Sequence, residues 1–219
     1  MPTASLWKRW TGRWIIACVV TQLFELWGDG LAGWIFSAMG VSPGPGALLP
    51  LVVMAVIRLF SGALGGLAQG RVLKSRFPFT ISWVVATSLG SAIALVLVFG
   101  WHAAAVLPSV GPMILDALQP PRSVLPPFIF ASLTGLVLGV AQWLALRGHV
   151  EQAGRWVLFS VLGLTAADLL TGVLQRSLGA VGLDVSTGAW NPVFWVISAV
   201  GIALYGLLTS RFWVARFGR

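Results

Sequence analysis

Six apolar runs, each about as long as a bilayer is thick, leave this chain few ways to fold. They occupy residues 14–36, 47–69, 81–106, 127–146, 156–174 and 193–209. In hydrocarbon a backbone must satisfy its own N–H and C=O groups, and roughly 20 apolar residues wound as a helix cross the bilayer core. Charged residues make up 9% of the chain, too few to coat a soluble domain, in which about a quarter are charged. No long polar stretch separates the runs. Residues 1–219 therefore read as one all-α transmembrane domain of six helices. The first run is the least regular. Gly28-Asp29-Gly30 interrupts it, which predicts a helix ending near Trp27 and a short interfacial or re-entrant piece through Trp34. The basic and then apolar amino end resembles a secretory signal in outline. No small-x-small cleavage site follows at the right distance, so it reads as a retained span.

The positions of the basic residues predict a topology. Lys8, Arg9, Arg13, Arg71, Lys74, Arg76, Arg147, Arg155, Arg211, Arg216 and Arg219 all fall on one side of the six-span scheme. Of the remaining three, Arg122 is in an opposite loop, Arg176 is near a span end and Arg58 is inside a span. The positive-inside rule places both termini in the cytoplasm, and an even number of crossings requires them on the same side. The formal charge of +8 thus belongs to the membrane topology and not to nucleic-acid binding. The tryptophans fall near the two ends of the spans, with Trp7, Trp10, Trp14, Trp83, Trp143, Trp156 and Trp213 toward the basic side. Trp34, Trp101, Trp190 and Trp195 lie toward the other. Indole favours the headgroup level, so two interfacial anchoring belts are expected.

A repeat runs through the chain. Gly62, Gly66, Gln69, Leu73, Lys74, Trp83 and Gly90 recur as Gly135, Gly139, Gln142, Leu146, Arg147, Trp156 and Gly163, each displaced by 73 residues. The similarity extends more weakly to both ends. Arg13-Trp14-Ile15-Ile16 parallels Arg155-Trp156-Val157-Leu158, while Gly206 and Thr209 fall on Gly139 and Gln142. The chain then divides into three two-helix units, about 13–70, 81–147 and 155–211, all of one orientation. Such units can surround a pseudo-threefold axis along the membrane normal, as parallel repeats in transporters do. The mitochondrial carriers share this arithmetic, but their Pro-x-[Asp/Glu]-x-x-[Lys/Arg] signature is absent. The run 135–163, with Gln142-Trp143-Leu144, Leu146-Arg147 and Arg155-Trp156-Val157-Leu158, resembles repeats in uncharacterised multi-pass bacterial membrane proteins. That resemblance implies a repeated hairpin and a bacterial inner membrane, and carries no function.

The small-xxx-small pairs Gly62/Gly66 and Gly135/Gly139 predict close helix packing, which Gly65 and Gly90 broaden. Gln69 and Gln142 lie roughly 7–8 Å inside the basic edge, on the glycine face. They read either as interhelical hydrogen-bonding groups or as a polar ring at a gate, with Thr209 third. Glu25 and Asp168 are roughly 18–20 Å deep, and Asp29 and Arg58 near ~24 Å. Charges at such depth should face the interior and pair. Arg58 has Glu25, Asp29 and Asp168 as prospective partners, with Arg176 a more distant one for Asp168.

These four groups are the candidates for a substrate or ion path, or else for a structural staple between the first two spans. Catalysis finds little footing. No H-E-x-x-H, G-x-S-x-G or Asp-rich pair is present. His149 and Glu151 share a loop without a third partner, and His102 reads as a solvated interfacial residue. One cysteine, Cys18, rules out an intrachain disulfide or a thiolate metal site. Residues 112–118, between proline-rich ends, suggest a short surface helix. The sequence thus predicts a non-enzymatic membrane protein, with no catalytic or metal-ligating set and no specified cofactor. It would bind or pass a small or lipophilic molecule between helix repeats. The alternative is an accessory subunit of a bioenergetic or photosynthetic type of complex. Its partners are the lipid bilayer and either other membrane subunits or a second copy of itself.

Overall fold

In the computed structural model, the structure describes residues 4–40, 48–74, 77, 80–105, 125–185 and 191–217. Among these are six helices: α1 (Ala4–Met39), α2 (Leu48–Leu73), α3 (Thr80–Ala105), α4 (Leu125–Leu146), α5 (Arg155–Ala180) and α6 (Pro192–Phe217). All six are long and apolar enough to cross a membrane, and no described residue is in a strand. The short surface helix expected within 112–118 lies outside the described residues.

α1 runs unbroken through Gly28-Asp29-Gly30, so the predicted interruption does not occur. Helix propensity alone disfavours two glycines so close together, but tertiary contacts override it. A Cβ on Gly28 would stand 3.0 Å from Ile57 Cγ2, so the missing side chain is what lets α2 approach. Asp29 is held by Arg58 of that same helix. The other helices match the expected spans to within a turn or two at their ends. α6 is capped by Asn191, whose Oδ1 accepts the Val193 and Phe194 N–H groups at 2.9 and 3.4 Å, with Pro192 in the first helical position. α5 stops at Gly182, which takes φ +85°. Its N–H returns to Gly179 O and that of Leu183 to Leu178 O, the paired bonds of a left-handed helix stop.

Each helix packs mainly on the next in sequence, and α6 packs on α1, which closes a six-membered ring. Glycine seats every one of the six interfaces. Gly62 and Gly66 bring α2 onto the α3 backbone at Ser88 and Val84, and Gly135 and Gly139 bring α4 onto α5 at Val161 and Val157. Gly65 meets Thr21 of α1, Gly90 meets Leu138 and Ala141 of α4, Gly163 meets Tyr205 of α6, and Gly206 meets Ile15 of α1. The small-residue faces are therefore used within the chain. Large apolar residues point outward instead, including Ile81, Phe60 and Leu158 at 81%, 71% and 57% exposure.

The core lies at one end of the ring, where the amino ends of α1, α3 and α5 meet the carboxyl ends of α2, α4 and α6. Trp14, Trp83, Trp156 and Trp213 are all fully buried there. This corrects the expectation of an interfacial belt on the basic side, because these four indoles turn inward. Only the deep, closed end of a ring offers so many aromatic neighbours at once. Trp34, 64% exposed near the other end, does suit a belt. Lys8, Arg9, Arg13, Arg71, Lys74, Arg147, Arg155 and Arg211 are exposed around the tryptophan-packed end.

Candidate functional site

The closed end is built from three similar bonds. The Trp83 indole N–H donates to Gln69 Oε1 at 3.1 Å, that of Trp156 to Gln142 Oε1 at 2.9 Å, and that of Trp14 to Thr209 Oγ1 at 3.0 Å. Each joins the start of one helix to the end of a neighbour. Gln142 passes its Nε2–H on to Thr87 Oγ1 at 3.1 Å, and Gln69 directs its Nε2 toward Cys18 Sγ at 3.9 Å. Both glutamines are buried, so their polarity is spent on hydrogen bonds between helices. The three indoles stand edge to face, with ring centroids 5.5 to 6.2 Å apart. Trp213 lies against all three at 5.9, 6.3 and 5.3 Å. Its place has a sequence signal: it follows Thr209 by four residues, as Leu73 and Leu146 follow Gln69 and Gln142.

One turn beyond this aromatic floor the ring hollows out. An inner chamber of about 220 Å³ is lined by Cys18, Gln69 and Thr87 next to the floor, then by Ser91, Tyr205, Glu25 and Arg58, with Leu95, Leu138 and Ile202 among its apolar walls. A second chamber of about 440 Å³ continues away from the floor past Asp168, Thr171, Gln175 and Ser198. The two share Gln22, Glu25, Thr134, Leu164 and Ile202, so Glu25 stands at their junction. Asp168 is exposed although it lines the outer chamber, which places an opening on that side.

Arg58 takes two of the three prospective acidic partners. Its Nη1 lies 3.0 Å from Glu25 Oε2 and its Nη2 lies 2.7 Å from Asp29 Oδ2. Glu25 and Asp29 are four residues apart on α1 and share a face, so the planar guanidinium fork reaches one with each terminal nitrogen. Ser91 donates its hydroxyl to Glu25 Oε1 at 3.0 Å, which ties α3 into the same network. Asp168, on α5, is not in this network. It faces Glu25 only as part of the outer chamber wall. Arg176 is exposed on the last turns of α5. His149 and Glu151 lie in the exposed turn between α4 and α5.

Sequence reading missed Ser91 and Tyr205. A serine or tyrosine in an apolar helix carries no signal of which way it faces until the neighbouring helices are placed. No known protein family, curated protein or solved structure matches the chain.

Proposed function

We propose that this chain is a multi-pass membrane protein that holds a small or lipophilic molecule in the chamber enclosed by its six helices. The observation that carries this reading is the chamber itself. It has polar and charged groups at its waist, apolar walls, an opening on one side and four mutually packed indoles closing the other. Ligand sites share this pattern of apolar walls and a few convergent polar groups, and ionisable groups are retained inside a membrane at a cost that function commonly explains. With the aromatic floor closed, the ligand enters and leaves by the opposite end. Passage across the membrane would require Trp213 and its three neighbours to part.

The ring supports a division into three hairpin units. The three indole bonds join equivalent positions, and the glycine pairs of α2 and α4 seat against α3 and α5 at residues displaced by the same 73 positions. The third unit is altered: Thr209 replaces glutamine and Trp213 replaces leucine. That change puts one large ring on the axis, where three leucines would leave space. The charge pattern favours cytoplasmic termini, and the resemblance of the repeats to those of multi-pass bacterial proteins favours a bacterial inner membrane.

Native mass spectrometry after gentle extraction from the source membrane tests the reading. A monomer or homo-oligomer carrying a bound small molecule is the expected result. A ligand-free chain in a stoichiometric set of other membrane subunits would overturn it in favour of the accessory-subunit role, with Arg58 as a staple between α1 and α2.

A further inference from the structure

From the hydrogen bonding around the chamber we infer that its ligand is a neutral, largely apolar molecule that presents a carbonyl-type oxygen to Arg58. The inference rests on the chamber being a ligand site. Arg58 lines the inner chamber and spends its two terminal nitrogens on Glu25 and Asp29. Its Nε–H is buried and has no hydrogen-bond partner among the described residues. Buried donors are nearly always bonded, because a polar group taken out of water without a partner is costly. Hydroxyls that line the same chamber are directed elsewhere: Ser91 donates to Glu25 Oε1 at 3.0 Å and Thr21 to Ala17 O at 2.8 Å. A guanidinium can only donate. The missing partner is therefore an acceptor, and a molecule in the chamber can bring one.

The charges select a neutral acceptor over an anion. Glu25 and Asp29 already outnumber the guanidinium between them, and Asp168 lines the outer chamber together with Glu25. A further negative charge would enter this low-dielectric interior with no cation left to pair with it. A carbonyl oxygen accepts the Nε–H without adding charge. The walls set the rest of the molecule. Leu95, Leu138, Leu164 and Ile202 supply a surface for a hydrocarbon body, and chambers of about 220 and 440 Å³ admit one aromatic ring on a short chain.

The test uses the full chain in nanodiscs of zwitterionic lipid and three probes of one shape. Benzylacetone carries a neutral acceptor, 3-phenylpropionate an anionic one and butylbenzene none. Affinities are taken relative to probe dissolved in the lipid, so that partitioning cancels. Benzylacetone should bind saturably and about tenfold tighter than either of the others, the scale of one hydrogen bond to a charged group. The stretching band of its 13C-labelled carbonyl should move to lower frequency than in hexane. Arg58→Lys keeps a positive charge for Glu25 and Asp29 but has no Nε–H. It should lose the preference for benzylacetone and still bind butylbenzene. Equal or tighter binding of 3-phenylpropionate, an unshifted carbonyl band, or a ketone preference intact in Arg58→Lys would each overturn the inference. A variant that binds neither probe has lost its fold, and the carbonyl band of the parent chain then decides. Butylbenzene bound as tightly as benzylacetone would leave the ligand site standing and reject only the acceptor. If no probe binds, native mass spectrometry decides: a bound molecule without a neutral oxygen acceptor rejects the inference alone, and an empty chamber rejects the ligand site with it.

Discussion

Trp156 and Trp14 make the same kind of bond to different acceptors, and the acceptor decides what each is worth. Without the indole N–H of Trp156, Gln142 keeps its bond to Thr87 but is left with a bare, fully buried carbonyl oxygen. Thr209, which accepts from Trp14, is already engaged as a donor to Tyr205 O at 2.8 Å. It loses only one accepted bond. An unsatisfied buried acceptor costs about 1–3 kcal/mol, and a hydroxyl that retains its donated bond loses nearer ~1 kcal/mol. Thermal melting in detergent should therefore rank Trp156→Phe below Trp14→Phe in stability. The ring volume changes alike in the two variants, so the difference reports the acceptor. Arg58 follows the same logic of partners, because its two terminal nitrogens serve two carboxylates from adjacent turns of α1.

For the helices, close approach matters more than propensity. A Cβ on Gly135 would stand 2.8 Å from Val161 Cα and 2.9 Å from Ser160 O, both backbone atoms that no rotamer change can move. Gly135→Ala should force α4 away from α5 and cost about 1–3 kcal/mol, the usual penalty of overpacking. Gly172, inside α5, has nothing within 4 Å of its Cβ position. Gly172→Ala should be neutral or stabilising by up to about 1 kcal/mol, the helix-propensity difference. Paired melting curves check both, and a Gly135→Ala variant as stable as the parent would refute tight seating of that hairpin. The same consideration explains why α1 passes straight through Gly28-Asp29-Gly30. Local sequence disfavours helix there, while the approach of Ile57 and the Arg58 ion pair stabilise it.

The ring as a whole assigns the two ends of the molecule different roles. The tryptophan-packed end carries the exposed lysines and arginines of the described residues except Arg176, together with the start of α1 and the end of α6, and the chambers lie toward the other end. The positive-inside rule then predicts cytoplasmic termini. A fluorescent-protein fusion at the carboxyl end should be bright and an alkaline phosphatase fusion there inactive. The reverse pattern would turn the chamber mouth toward the cytoplasm.

Much of this architecture was legible in the order of residues. Helix number follows from run length, because hydrocarbon permits no unpaired backbone. The glycine faces and the Gln–Trp spacing were visible as a displaced pattern, and the depth of Glu25, Asp29 and Arg58 marked them as partners. Direction was not legible. A tryptophan near a span end has the same composition whether it meets headgroups or an axis, and a glycine face does not say which helix it meets. Only closing α6 onto α1 turned Trp14, Trp83, Trp156 and Trp213 inward together, separated Asp168 from Arg58, and left Ser91 and Tyr205 facing a cavity. The sequence by itself determined six apolar helices with charges between them, since solvation acts on each segment separately. The floor, the chamber and the choice of ion partners came from tertiary structure, since each requires atoms from helices far apart in the chain.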